Sequence, residues 1–218
     1  MLDLLLPRRC ASCGERGATL CDECRDGLVR LAPPLCERCG SPGAWPIQRC
    51  AECRGRRLSF ASARAAIVYD DAARRLVSAW KERGQRHLAR IASAIVVEAL
   101  ARPMVAALAF VPADRDRSLE RGHRPAESLA RELGKEWELP VEPLVRRVRS
   151  VGPQRGLGLK ERRRNVAGAF APARASPSRV CLVDDVYTSG ATAVAAASAL
   201  RKGGARRVEV VTFARAIR

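Results

Sequence analysis

One stretch, Val180 to Thr192, reads Val-Cys-Leu-Val-Asp-Asp-Val-Tyr-Thr-Ser-Gly-Ala-Thr and constrains the fold more than any other part of the chain. Its apolar run, Val180 to Val183, has the texture of a buried parallel strand, and the alanine-rich run from Ala191 to Leu200 is strongly helical. The unit is therefore strand, tight loop, helix. Thr188, Ser189, Gly190, Ala191 and Thr192 put hydroxyls and backbone N–H groups at the opening of that helix, where the macrodipole already favours an anion. Asp184 and Asp185 would repel the same anion, but they can accept hydrogen bonds from a diol or meet a bound metal. Phosphate plus diol describes a ribose 5-phosphate. Simple helix capping would need one Asp or Ser and not the whole set. Cys181, inside the apolar run, reads as a small core residue and not as a nucleophile.

A second constraint lies at the other end of the chain. Eight of the nine cysteines form four Cys-x-x-Cys pairs: Cys10/Cys13, Cys21/Cys24, Cys36/Cys39 and Cys50/Cys53. Two thiolates at that spacing bite one tetrahedral ion, and Gly14 and Gly40 supply the backbone freedom of a knuckle turn. Eight thiolates make two Cys₄ sites with no open coordination position, so two structural zinc ions are expected. Sequential pairing gives a double zinc ribbon; a cross-braced pairing of first with third and second with fourth fits the same spacing. A redox motif or an iron–sulfur cluster needs fewer evenly placed pairs. The first 57 residues hold few large apolar side chains beyond Leu4 to Leu6, Leu28, Leu31, Leu35, Trp45 and Ile47, so metal has to substitute for a core.

The 218 residues carry a net charge of +17, almost all of it from arginine, since Lys81, Lys135, Lys160 and Lys202 are the only lysines. That excess attracts polyanions, whether nucleic acid or phosphorylated small molecules. Aromatic residues make up only 4 %, which leaves little for a base-stacking platform. No apolar run approaches the ~20 residues that cross a bilayer, and the start Met-Leu-Asp-Leu-Leu-Leu-Pro is too short and too acidic for a secretory signal. A cytoplasmic location without membrane insertion is expected.

Between the two ends, Ala63 to Tyr69 reads as a strand and Ala72 to Arg83 as a helix with Leu76, Val77 and Trp80 on one face. Lys81 on that helix is either a phosphate contact from a hood over the site or an ordinary surface lysine. A second helix, His87 to Ala101, buries Leu88, Ile91, Ile95, Val96 and Leu100. A short strand, Ala107 to Val111, leads into a basic loop in which Arg115, Arg117 and Arg121 could hold a diphosphate; His123 lies in the same loop. The helix Ala126 to Leu133 is stopped by Gly134. After a strand at Leu144 to Val148, a glycine-interleaved basic segment carries Lys160, Arg162, Arg163 and Arg164, which could close over a phosphate site or serve as a polyanion surface. Val208 to Phe213 is the last strand.

Strand, Asp-Asp and Thr-Ser-Gly-Ala-Thr together resemble the phosphoribosyl-diphosphate signature of type I phosphoribosyltransferases. The wider order is more specific: four cysteine pairs, Ala65-x-x-x-Tyr69, Val111-Pro112, Arg121-Gly122, Gln154-x-Gly156-Leu157, Glu161-Arg-Arg-Arg-Asn-Val166, Gly168-Ala-Phe170 and the Val183 to Thr192 run. Over nearly its whole length the chain resembles the ComF competence-protein family. The resemblance implies an α/β fold with a phosphoribosyltransferase-type parallel sheet flanked by helices (59–218) behind a small N-terminal double zinc ribbon (1–58). It implies a role in natural transformation: binding of phosphoribosyl diphosphate with Mg²⁺ and of single-stranded DNA, alongside competence-machinery proteins, with phosphoribosyl transfer as a further expectation. Asp184 and Asp185 would face the ribose hydroxyls and Mg²⁺, Thr188 to Thr192 the 5-phosphate, and Arg115 the diphosphate. Alternatives are a nucleic-acid-binding module with a sensory or vestigial phosphoribosyl site, and a nucleotide-salvage transferase. The chain departs from the family at Arg121-Gly-His-Arg-Pro-Ala126, where Arg-Gly-Phe-Asn-Gln-Ala is usual, and Pro125 there removes a backbone donor.

Overall fold

In a computed structural model, which describes residues 9–82, 84–113, 124–149 and 165–217, the centre of the molecule is a parallel four-stranded sheet. Its strands are β1 (Ser62–Val68), β2 (Ala107–Phe110), β5 (Arg179–Tyr187) and β6 (Arg207–Arg215), in the order β1-β6-β5-β2. Parallel strands need covered faces, and the helices α2 (Asp71–Glu82), α3 (Leu88–Ala99), α4 (Pro125–Glu136) and α5 (Ala191–Lys202) provide the crossovers. A small antiparallel pair, β3 (Val145–Arg147) with β4 (Phe170–Pro172), packs beside α5. This is the α/β architecture expected from the sequence. No helix among the described residues is long and apolar enough to cross a membrane.

The core follows the apolar periodicities. Leu76, Val77 and Trp80 of α2 are buried, and Trp80 meets Phe213 of β6 edge to face with ring centroids 6.4 Å apart. The Asp70 carboxylate accepts from the Ala73 N–H at 2.9 Å, capping α2 at its start. On α3, Leu88, Ile95 and Val96 are fully buried, whereas Ile91 and Leu100 are only partly covered. Cys181 is fully buried in β5, where burial pushes its thiol up, as suits a small core residue.

Two boundaries differ from the sequence reading. β5 does not end at Val183: the ladder with β6 runs on through Asp184↔Thr212, Val186↔Ala214 and Tyr187↔Arg215, so both carboxylates lie within the strand. Gly134 does not stop its helix either, because α4 continues to Glu136. The glycine is there for space. A Cβ on Gly134 would stand 2.5 Å from Val141 Cγ2 and 2.9 Å from the Leu139 carbonyl, where the chain returns to lie against β2. Pro125 sits in the first turn of α4, where a missing N–H costs nothing, so the departure from the family pattern is compatible with a regular helix start.

The cysteine-rich segment docks on the free edge of β1. Val29, Arg30 and Leu31 run antiparallel to it, with the Val68 N–H donating to Val29 at 2.8 Å and the Leu31 N–H to Ala66 at 3.0 Å. Arg25, in the last turn of the short helix α1 (Asp22–Asp26), and Arg30 both pair with Glu98 of α3. Gly40, at φ +71°, lies so close to β1 that a Cβ would be 2.4 Å from the Ala63 carbonyl. Trp45, counted from the sequence among the apolar residues of this segment, is 69 % exposed and contributes little to its packing.

The packing at Gly134 yields a clear expectation. In an ordinary helix interior Gly→Ala would stabilise by about 1 kcal/mol. Here Gly134→Ala should instead destabilise by about 1–3 kcal/mol through overpacking, measured as a lower midpoint in denaturant with unchanged slope.

Candidate metal and anion sites

The cysteines form two tetrads, Cys10, Cys13, Cys21, Cys24 and Cys36, Cys39, Cys50, Cys53, whose sulfurs lie within 4.8 Å of one another in each group. The pairing is sequential. Zinc–sulfur bonds of about 2.3 Å put tetrahedral sulfurs about 3.8 Å apart. The sulfur–sulfur separations are 3.8 Å for Cys13 and Cys21, 3.7 Å for Cys36 and Cys53, 3.4 Å for Cys39 and Cys50, and 3.9 Å for Cys50 and Cys53. Both tetrads thus fit a zinc ion. Without one, the thiols of the second tetrad would not ionise together. Burial first, and then neighbouring sulfurs, push Cys53 up to about 11. At Cys36, by contrast, backbone N–H groups of Cys39, Cys50 and Arg38 outweigh burial and draw the thiol down to about 7.

The second site lies at the carboxyl end of β5. Asp185 is buried, Asp184 is partly open, and each carboxylate accepts from the next backbone N–H, Asp184 from Asp185 at 2.9 Å and Asp185 from Val186 at 2.6 Å. Lys81, in the last turn of α2, places its ammonium 2.5 Å from Asp185 Oδ2. Burial alone would lower the Lys81 pKa, but the charges of Asp185 and then Asp184 overcome it and raise it. Asp184 is pushed up to about 7, by burial first and then by the charge of Asp185, against the pull of Lys81 and Arg147. Beyond the pair the chain turns through Thr188, Ser189 and Gly190 into α5, whose first-turn N–H groups have no intrahelical acceptors. Gly190 adopts φ +71°, and the Tyr187 hydroxyl fills the space a side chain there would need, 2.2 Å from an ideal Cβ. The Ser189 hydroxyl accepts from the Ala191 N–H at 3.3 Å. Fixed N–H groups at a helix opening, next to hydrogen-bonding carboxylates and a cation, can hold an anion and a diol at once.

A family model described as the double zinc ribbon domain matches residues 1–56. Competence protein F of Haemophilus influenzae is 31 % identical over 90 % of this chain and 90 % of its own. The chain belongs to the ComF family. Further ComF-type relatives include competence protein ComFC of Streptococcus pneumoniae, 25 % identical over 97 % of this chain and 92 % of that protein. The DNA utilization protein YhgH of Salmonella typhi is 28 % identical, with 91 % of each chain covered.

In this ComF chain, Lys81 is brought against Asp185 and is not a free surface lysine; its partner is the carboxylate. Asp184, Asp185, Thr188, Ser189, Gly190, Ala191 and Thr192 stand on one strand-loop-helix unit. Arg115, His123, Lys160, Arg162 and Arg163 lie outside the described residues. Sequence reading missed three groups that shape the site. Arg147, at the end of β3, donates to the Pro112 carbonyl at 3.2 and 3.3 Å and covers the Phe170 ring at 4.8 Å, which brings its charge near Asp184. Arg56 donates to the Ser189 carbonyl at 2.8 Å. Arg215, the last residue of β6, is buried against Tyr187. A cavity of about 440 Å³ opens on the flank of α5, lined by Arg57, Ser59, Phe170, Val194, Ser198 and Lys202 among others, away from the carboxylates.

Two outcomes are expected. Chelation of zinc should abolish the structure of the cysteine-rich segment, seen as loss of amide protection in residues 9–57 in hydrogen exchange; full protection in a zinc-free sample would contradict the metal reading. The raised Asp184 pKa has a definite sign. The folded chain keeps a proton there that the unfolded chain, with an ordinary carboxylate, has lost, so this residue makes stability fall as pH rises from about 4 to about 7. Asp184→Asn should therefore gain stability relative to wild type as pH rises from about 4 to about 7, and a constant difference in melting temperature over that range would contradict the assignment.

Proposed function

We propose that this ComF-family chain binds phosphoribosyl diphosphate with Mg²⁺ and acts in the uptake and handling of DNA, with single-stranded DNA as its polyanionic partner. What supports the first part most is the Asp184–Asp185 pair, carried on the strand that runs directly into an anion-ready helix opening. Two carboxylates suit the vicinal hydroxyls of a ribose, and the α5 amides with Thr188, Ser189 and Thr192 suit its 5-phosphate. Lys81 keeps the pair from presenting two uncompensated charges to an anionic ligand. Mg²⁺, when bound, would be held by the carboxylates and would neutralise charge on the diphosphate. The DNA part is supported by the names of the relatives, competence for two and DNA utilization for another, and by a net charge of +17. The competence machinery and a cytoplasmic site of action belong to the same proposal.

Calorimetry tests the donor site. Phosphoribosyl diphosphate with Mg²⁺ should bind wild type, and Asp185→Asn should weaken binding at least about tenfold, since a hydrogen bond to a charged group is lost. Equal affinity in both would refute the site. Binding to single-stranded DNA should fall steeply between low and physiological salt as counterions are released. Incubating labelled donor with nucleobases and with DNA then asks whether the phosphoribosyl group is transferred.

A further inference from the structure

Arg215, the last residue of β6, is 1 % exposed although its side chain is a guanidinium. Its partners come from two directions. Nη1 donates to the Cys39 carbonyl at 2.6 Å, and Nη2 pairs with Glu52 Oε2 at 2.6 Å. Cys39 is a ligand of the second tetrad, and Glu52 stands between two others, Cys50 and Cys53. Ser41, next to the knuckle glycine, holds the other Glu52 oxygen at 3.1 Å. The Arg215 guanidinium also lies over the Tyr187 ring, 4.6 Å from its centroid. Tyr187 is the register partner of Arg215, and it supports the left-handed turn at Gly190 from below. Phe60 packs edge-on against the same ring at 6.4 Å.

A second connection runs beside the first. Arg56, just past Cys53, donates to the Glu52 carbonyl at 3.2 Å and to the Ser189 carbonyl at 2.8 Å. Both knuckles of the second tetrad are thereby tied to the loop, one through Arg215 and Tyr187, the other through Arg56. The first tetrad is differently placed: its neighbours Arg25 and Arg30 pair with Glu98 of α3.

We propose that the second cysteine tetrad is a positioning element of the anion loop. With metal on Cys36, Cys39, Cys50 and Cys53, the knuckles are fixed, Arg215 and Arg56 are fixed with them, and the Tyr187–Gly190 turn is held in its anion-binding shape. Without it, the Cys39 carbonyl and Glu52 carboxylate that anchor Arg215 and the Glu52 carbonyl that anchors Arg56 lose their positions, and a buried arginine deprived of its partners must move. Coupling of this kind is reciprocal, so a ligand on the loop retains metal in the second tetrad. The inference rests on the reading of that loop as a phosphoribosyl-diphosphate site.

The test follows release of the two zinc ions from the full-length protein to a chromogenic chelator, with and without phosphoribosyl diphosphate and Mg²⁺. One equivalent should leave at least about fivefold more slowly with ligand, and the other at an unchanged rate. Arg215→Lys keeps the charge but cannot span the Cys39 carbonyl and Glu52 together, so it should lose that protection and bind the ligand more weakly while retaining both zinc ions. Arg56→Gln makes the same test at a less buried position if Arg215→Lys does not fold. Wild type that binds the ligand in calorimetry but shows no change in either rate overturns the coupling alone, as does equal slowing of both ions. Wild type that binds no ligand overturns the site reading and the coupling with it.

Discussion

The parallel ladder between β5 and β6 is the constraint on which the rest of the molecule hangs. Each strand spans nine residues, and the pairing continues past the apolar core to Asp184↔Thr212 and Tyr187↔Arg215. A shorter ladder would leave the carboxylates on a loop, free to splay apart. Held in the strand, they receive Lys81 from α2 and deliver the chain into α5 at a fixed angle. The charge balance then follows from burial: one carboxylate is compensated directly by an ammonium, while the other is left near the midpoint of its titration at neutral pH.

The parts of this design legible in the sequence are those encoded over short distances. Cysteine spacing, the Asp-Asp pair, Thr-Ser-Gly-Ala-Thr and the apolar faces of α2 and α3 all depend on neighbours within a turn or two. The strand ends were not legible, for a physical reason. Val208 to Phe213 reads as a complete strand because an arginine shortly after an apolar run looks like a return to solvent, an unpaired buried charge being costly. Arg215 is instead buried because Cys39 and Glu52, remote in sequence, supply its partners. Likewise Asp184 reads as the end of an apolar strand until its pairing with Thr212 is known. Gly134 shows the opposite failure: a residue that commonly punctuates helices sits within one here because only glycine leaves room for the close approach of Val141.

Sequence patterns also could not specify which arginines matter in a chain so rich in them. Arg147, Arg56 and Arg215 are indistinguishable from surface arginines until the fold aims them at the Pro112 carbonyl, the Ser189 carbonyl and the Tyr187 ring. Guanidinium suits all three positions, because its planar fork can serve several acceptors and still stack on a ring.

The antiparallel pairing of Val29 to Leu31 with β1 has a different kind of consequence. An uncovered parallel edge is a template for any other extended chain, and β1 carries none of the proline or inward-facing lysine that usually discourages such pairing. The cysteine-rich segment is thus a lid on a sticky edge. Metal starvation would endanger solubility before it endangered the sheet itself, as one molecule's bared strand found another's.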